Sequence, residues 1–124
     1  MPEAAVAVPF SRPWVAEEDI IRVSDVLRSG WWTTGSVVRE FEASFADYVG
    51  TSHAVALNSC TAALHVALIA AGVGPGDLVV TTTWTFAATA EVAAYLGAIP
   101  VLLDVEAETL NMSAGQFRVL CECL

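Results

Sequence analysis

The chain contains no lysine. Its five basic residues, Arg12, Arg22, Arg28, Arg39 and Arg118, are all arginines and stand against fourteen Asp and Glu. This excludes Schiff-base chemistry on a lysine of the chain itself. The net charge of -9 argues against nucleic acid as a partner, because affinity for a phosphate backbone comes mainly from Lys and Arg. Cysteine is scarce too: Cys60, Cys121 and Cys123 are the three present. An odd number without a regular framework excludes a disulfide-stapled secreted domain. Cys121 and Cys123 are too close for the CxxC spacing, and no histidine lies near them to complete a zinc site. No basic residue precedes the first apolar stretch, so the N-terminus does not read as a signal peptide. The longest apolar stretch, Ala62 to Gly74, is interrupted by His65 and is too short to span a bilayer. No membrane partner is expected, and the expected location is the cytoplasm. Neither GxGxxG nor the P-loop pattern occurs, so a dinucleotide or nucleotide-triphosphate reading lacks its motif.

What is present is apolar. Of the 124 residues 56% are hydrophobic and 15% charged, which excludes disorder and fits one domain at most. Residues 1–15 read as an extended N-terminal arm, since Pro2, Pro9 and Pro13 deny it a helix. Glu17, Glu18 and Asp19 open a helix that Gly30 stops. Ser36 is expected to cap a second helix, which Gly50 ends. His53–Leu57, Leu78–Thr81 and Ile99–Val105 read as strands. Ala62–Ala71 reads as a helix buried on more than one face, and Phe86–Leu96 as another, closed by Gly97. Ser113 and Gln116 form a capping pair for a last helix. Strands alternating with helices imply an α/β fold with a parallel sheet. Helices this apolar need cover on several faces, so the chain is expected to be the first part of something larger.

Three segments are candidate sites. Asn58-Ser59-Cys60-Thr61 lies between a strand and a helix, where free N–H groups and hydroxyls bind an anion or simply cap the helix. Thr81-Thr82-Thr83-Trp84-Thr85-Phe86 also follows a strand and opens a helix; its aromatics either stack on a planar ligand or belong to the core. Trp31-Trp32-Thr33-Thr34-Gly35 places two adjacent indoles in a loop, for an interface, a sugar-stacking surface or packing of the arm. His53 and His65 read as structural, and Glu91 as a solvated position. Asp104, Glu106 and Glu108 alternate, but not as a calcium loop does.

These segments carry a family likeness. Pro9-Phe10-Ser11-Arg12-Pro13, Ser29-Gly30-Trp31-Trp32-Thr33-Thr34-Gly35 and Val38-Arg39-Glu40-Phe41-Glu42 appear first. Asn58-Ser59-Cys60-Thr61-Ala62-Ala63-Leu64-His65, Gly74-Pro75-Gly76-Asp77, Thr85-Phe86-Ala87-Ala88-Thr89 and Gly97-Ala98-Ile99-Pro100-Val101 follow in order. Together they resemble the opening of the DegT/StrS family of nucleotide-sugar aminotransferases, over roughly residues 8–113, fading after Ser113.

The resemblance implies a fold, a cofactor and a reaction. The fold is α/β, the three-layer parallel-sheet large domain of the aspartate-aminotransferase type (PLP fold type I), here incomplete. Residues 16–124 are then the N-terminal part of the PLP-binding large domain, without the small C-terminal domain. The cofactor is pyridoxal 5'-phosphate. The reaction moves an amino group from glutamate to a nucleotide-linked keto-sugar for cell-envelope or antibiotic sugars, in a homodimer. By position, Cys60 and Thr61 hold the PLP phosphate, and Phe86 stacks on the pyridine ring. Trp31 and Thr33 lie near the sugar or the partner subunit. No residue of this chain is given a catalytic role and no metal is implied. The family's Schiff-base lysine falls beyond residue 124, so the fragment is expected to be inactive alone. Two other readings stay open: a non-catalytic remnant that binds a phosphorylated ligand or an intact homologous subunit, and a PLP-dependent sugar dehydratase relative.

Overall fold

The computed structural model describes residues 10–124. Residues 1–9 of the expected arm lie outside them, and residues 11–16 have no helix or strand. The chain forms two compact units that meet in sequence between Val55 and Ala56.

The first unit carries two helices, α1 (Glu17–Ser29) and α2 (Ser36–Val49). Three acidic residues fill the first turn of α1 and Arg28 its last, each favourable to the helix dipole. The Asp19 carboxylate accepts the Ala16 N–H at 3.0 Å. Gly30 closes the helix at φ 72°, its N–H donating to the Leu27 carbonyl, a left-handed terminus that glycine adopts freely. The Trp32 indole N–H donates to the same carbonyl at 2.9 Å. The cap of α2 is Gly35, not Ser36 as the sequence suggested. The reason is steric. Trp31 lies over Gly35, and a β-carbon there would sit 2.6 Å from the indole Cδ1. Phe41 and Phe45 share a face of α2, with ring centroids 5.9 Å apart.

The second unit runs α3 (Cys60–Ala70), β1 (Leu78–Thr82), α4 (Ala88–Tyr95), β2 (Ile99–Leu103) and α5 (Ala114–Cys123). The strands are parallel, from Leu78 opposite Ile99 to Thr82 opposite Leu103. Parallel neighbours need a crossover; α4 provides it and packs on both strands and on α3. The core lies there, in Ala88, Val92, Ala93 and Ala98 with Thr81. The turn before β1 is fixed at both ends. The Asp77 carboxylate accepts the Gly74 N–H at 2.8 Å, and its carbonyl accepts the Ile99 N–H at 2.8 Å.

Three further expectations change. His53–Leu57 is not a strand; the described sheet has two strands, β1 and β2, and an extended segment becomes a strand only beside a ladder partner. No residue of α3 is buried, although it is apolar on nearly every side. Phe86 lies before α4, not in it, because the chain turns through residues 83–87 first.

Candidate cofactor cup and aromatic loop

The start of α3 is a candidate anion site. Ser59 caps the helix from extended backbone, and its hydroxyl accepts the Ala62 N–H at 3.1 Å. The Ala63 N–H donates to the Ser59 carbonyl. Among the described residues nothing accepts from the N–H groups of Cys60 and Thr61, two of the donors every helix start leaves over. No acidic residue stands in this first turn. Cys60 is exposed and Thr61 half-buried. The cup thus offers two N–H donors and the Thr61 hydroxyl, a donor set that fits a phosphate.

Phe86 sits two residues before α4. Phe86 is 79% exposed, and among the described residues it has no aromatic partner. A free aromatic face fits a planar ring. His65 of α3 meets Tyr95 of α4 edge-on, centroids 5.7 Å apart, so it packs between the two helices. Glu91 is exposed and accepts the Tyr95 hydroxyl at 3.4 Å.

Trp31 and Thr33 belong to the first unit. The Trp31 indole N–H donates to the Thr34 carbonyl at 3.0 Å. With Trp32, Thr33 and Gly35 it lines a recess of about 180 Å³. Trp31 is 64% exposed, so while its Cδ1 and Nε1 lie against Gly35 much of the residue stays open.

Sequence reasoning missed Asp104. Thr83 and Asp104 each lie one residue past the last rung of the parallel register, so the two strand ends bring them together. The Thr83 hydroxyl donates to Asp104 Oδ1 at 3.1 Å, and the Val105 N–H to the same oxygen at 2.8 Å. The Asp104 N–H donates to Gln116 Oε1 at 3.0 Å. That use of Gln116 leaves its capping pair half made: the Gln116 N–H reaches the Ser113 hydroxyl, while its side chain serves Asp104. The signal was the site class itself, since open α/β sheets bind ligands outside the carboxyl ends of their strands.

Residues 13–120 match the DegT/DnrJ/EryC1/StrS aminotransferase family. The chain belongs to this family. The match runs past Ser113, where the sequence likeness was expected to fade. The spore coat polysaccharide biosynthesis protein SpsC of Bacillus subtilis (strain 168) is 49% identical over 105 residues, which are 85% of this chain and 27% of SpsC. Spr1654 of Streptococcus pneumoniae, assigned as a sugar aminotransferase and solved in its PLP-form, is 40% identical with a TM-score of 0.84. That alignment covers 94% of this chain and 29% of Spr1654. 3-Amino-5-hydroxybenzoic acid synthase is 33% identical, with a TM-score of 0.82 over 89% of this chain and 29% of its own. The fold is therefore the α/β architecture of the PLP-dependent fold type I aminotransferases, of which the described residues hold a part. The chain spans less than a third of the length of these family relatives. Among the described residues no helix is long and apolar enough to cross a membrane.

Proposed function

We propose that this chain is the N-terminal, cofactor-holding part of a PLP-dependent aminotransferase that moves an amino group from glutamate to a nucleotide-linked keto-sugar. The observation that carries the cofactor half is the pair of unpartnered N–H groups on Cys60 and Thr61 at a helix start without acidic residues. They bind the phosphate, with the Thr61 hydroxyl as a third donor, and Phe86 gives the pyridine ring a face to stack on. PLP bound there supplies the electron sink that amino transfer requires. Family membership supports the reaction class. Trp31 and Thr33 are the residues proposed for the sugar, through the exposed indole and the neighbouring hydroxyl. The domain assignment follows the same reading: residues 1–15 an arm, residues 16–124 the beginning of the large domain, acting as a homodimer in the cytoplasm when the whole enzyme is present.

The same reading gives the chain no turnover of its own. Covalent attachment of PLP and the substrate proton transfer both take a lysine amine, and the sequence has none. The test supplies the purified chain with PLP, glutamate and a nucleotide-linked 4-keto-sugar. Saturable PLP binding without release of 2-oxoglutarate is expected. Amino-sugar formation, or no preference for PLP over pyridoxal, contradicts the proposal.

A further inference from the structure

The loop that carries Phe86 is pinned on both sides by hydroxyls. From β1, the Thr82 hydroxyl donates to the Trp84 carbonyl at 3.1 Å. From α4, Thr89 holds Thr85, their hydroxyl oxygens 2.8 Å apart. The Thr89 N–H also donates to the Phe86 carbonyl at 3.0 Å. From the end of β2 two neighbouring residues hold Thr83: its N–H donates to the Leu103 carbonyl at 2.9 Å, and its hydroxyl to Asp104 Oδ1.

Asp104 is itself fixed. One oxygen accepts the Val105 N–H, and its own N–H is held by Gln116 of α5. Its carbonyl accepts the Ser113 N–H at 3.3 Å. The turn behind it is closed by the antiparallel bridge of Val105 with Met112. Thr83, Trp84, Thr85, Asp104 and Val105 together line a shallow opening of about 360 Å³ at the strand ends.

The geometry points to Asp104 as a positioning residue: through Thr83 it fixes the loop of residues 83–87 and so sets where Phe86 presents its ring. Asp104 touches neither cofactor nor substrate in this assignment. It rests on the proposed stacking role of Phe86, but the ordering of the loop is measurable without any cofactor.

The experiment uses the full chain and backbone order parameters for Trp84–Ala87. Native values near ~0.85 are expected to fall below about 0.6 in Thr83→Val and in Asp104→Ala, the range that separates rigid from flexible backbone. Thr83→Ser and Asp104→Asn keep a donor and an acceptor, and both are expected to stay near the native value. The double variant Thr83→Val/Asp104→Ala is expected to lose no more order than Asp104→Ala alone, because the bond that Thr83→Val removes is already lost with the carboxylate. A second readout is PLP affinity, expected to weaken several-fold in the two disruptive variants and to be restored in the conservative ones. Native order in Thr83→Val, or an additive double variant, overturns the clamp while leaving the cofactor reading intact. Loss of loop order with no PLP binding by the native chain overturns the stacking role instead.

Discussion

Gly97 has φ 74°, and the Pro75 ring lies 3.2 Å from where its β-carbon would be. Left-handed backbone costs a side-chain-bearing residue about 1–2 kcal/mol, and the proline ring leaves little room to relax. Gly97→Ala should therefore lower the thermal midpoint by several degrees, measured by circular dichroism; an unchanged midpoint contradicts the assignment. Gly35 is constrained differently, since its backbone is extended and the crowding comes from Trp31. Gly35→Ala should push the indole off the start of α2 and break its bond to Thr34. Tryptophan emission should shift to the red, and emission at the native wavelength contradicts the contact.

The helices of the second unit divide by cover. α4 buries Ala88, Val92 and Ala93, with Val92 only 1% exposed. No residue of α3 is fully buried, and its Ile69 is 54% exposed. Val92→Ala should cost about 2 kcal/mol, since a truncated core side chain leaves a cavity, whereas Ile69→Ala should cost less than about 1 kcal/mol. Chemical denaturation of both variants measures the contrast, and equal losses contradict it. Helix ends were legible because their signals are local: Gly30, Gly50, Ser59 and Ser113 terminate or open helices by their own chemistry. β1 and β2 were legible as apolar runs between turn residues. His53–Leu57 was read as a strand because it is equally apolar, but pairing depends on a neighbour distant in sequence. The start of α3 was legible from a hydroxyl-rich turn before an apolar run, with Ser59 as one of its two possible caps. Asp104 was not, because its partner Thr83 lies 21 residues away and only the strand register joins them.

The whole chain exposes Trp31, Trp32, Val55, Ile69, Trp84 and Phe86 while carrying few charges for its size. Exposed apolar area of this kind drives association. The purified chain should show concentration-dependent self-association in analytical ultracentrifugation; a sharp monomer across the range contradicts it. The chain spans 27% of SpsC and 29% of Spr1654, so the proposed cofactor binding is the part of the account that this chain itself can test. The decisive measurement is a calorimetric titration of PLP and of pyridoxal into the native chain and into Cys60→Pro. Proline is well tolerated at the first helical position and removes only an N–H that has no partner in the helix. The account predicts that the native chain prefers PLP over pyridoxal, and that Cys60→Pro loses about tenfold in PLP affinity, the worth of one hydrogen bond to a charged group. PLP binding that is indifferent to the phosphate and to the missing N–H would contradict it.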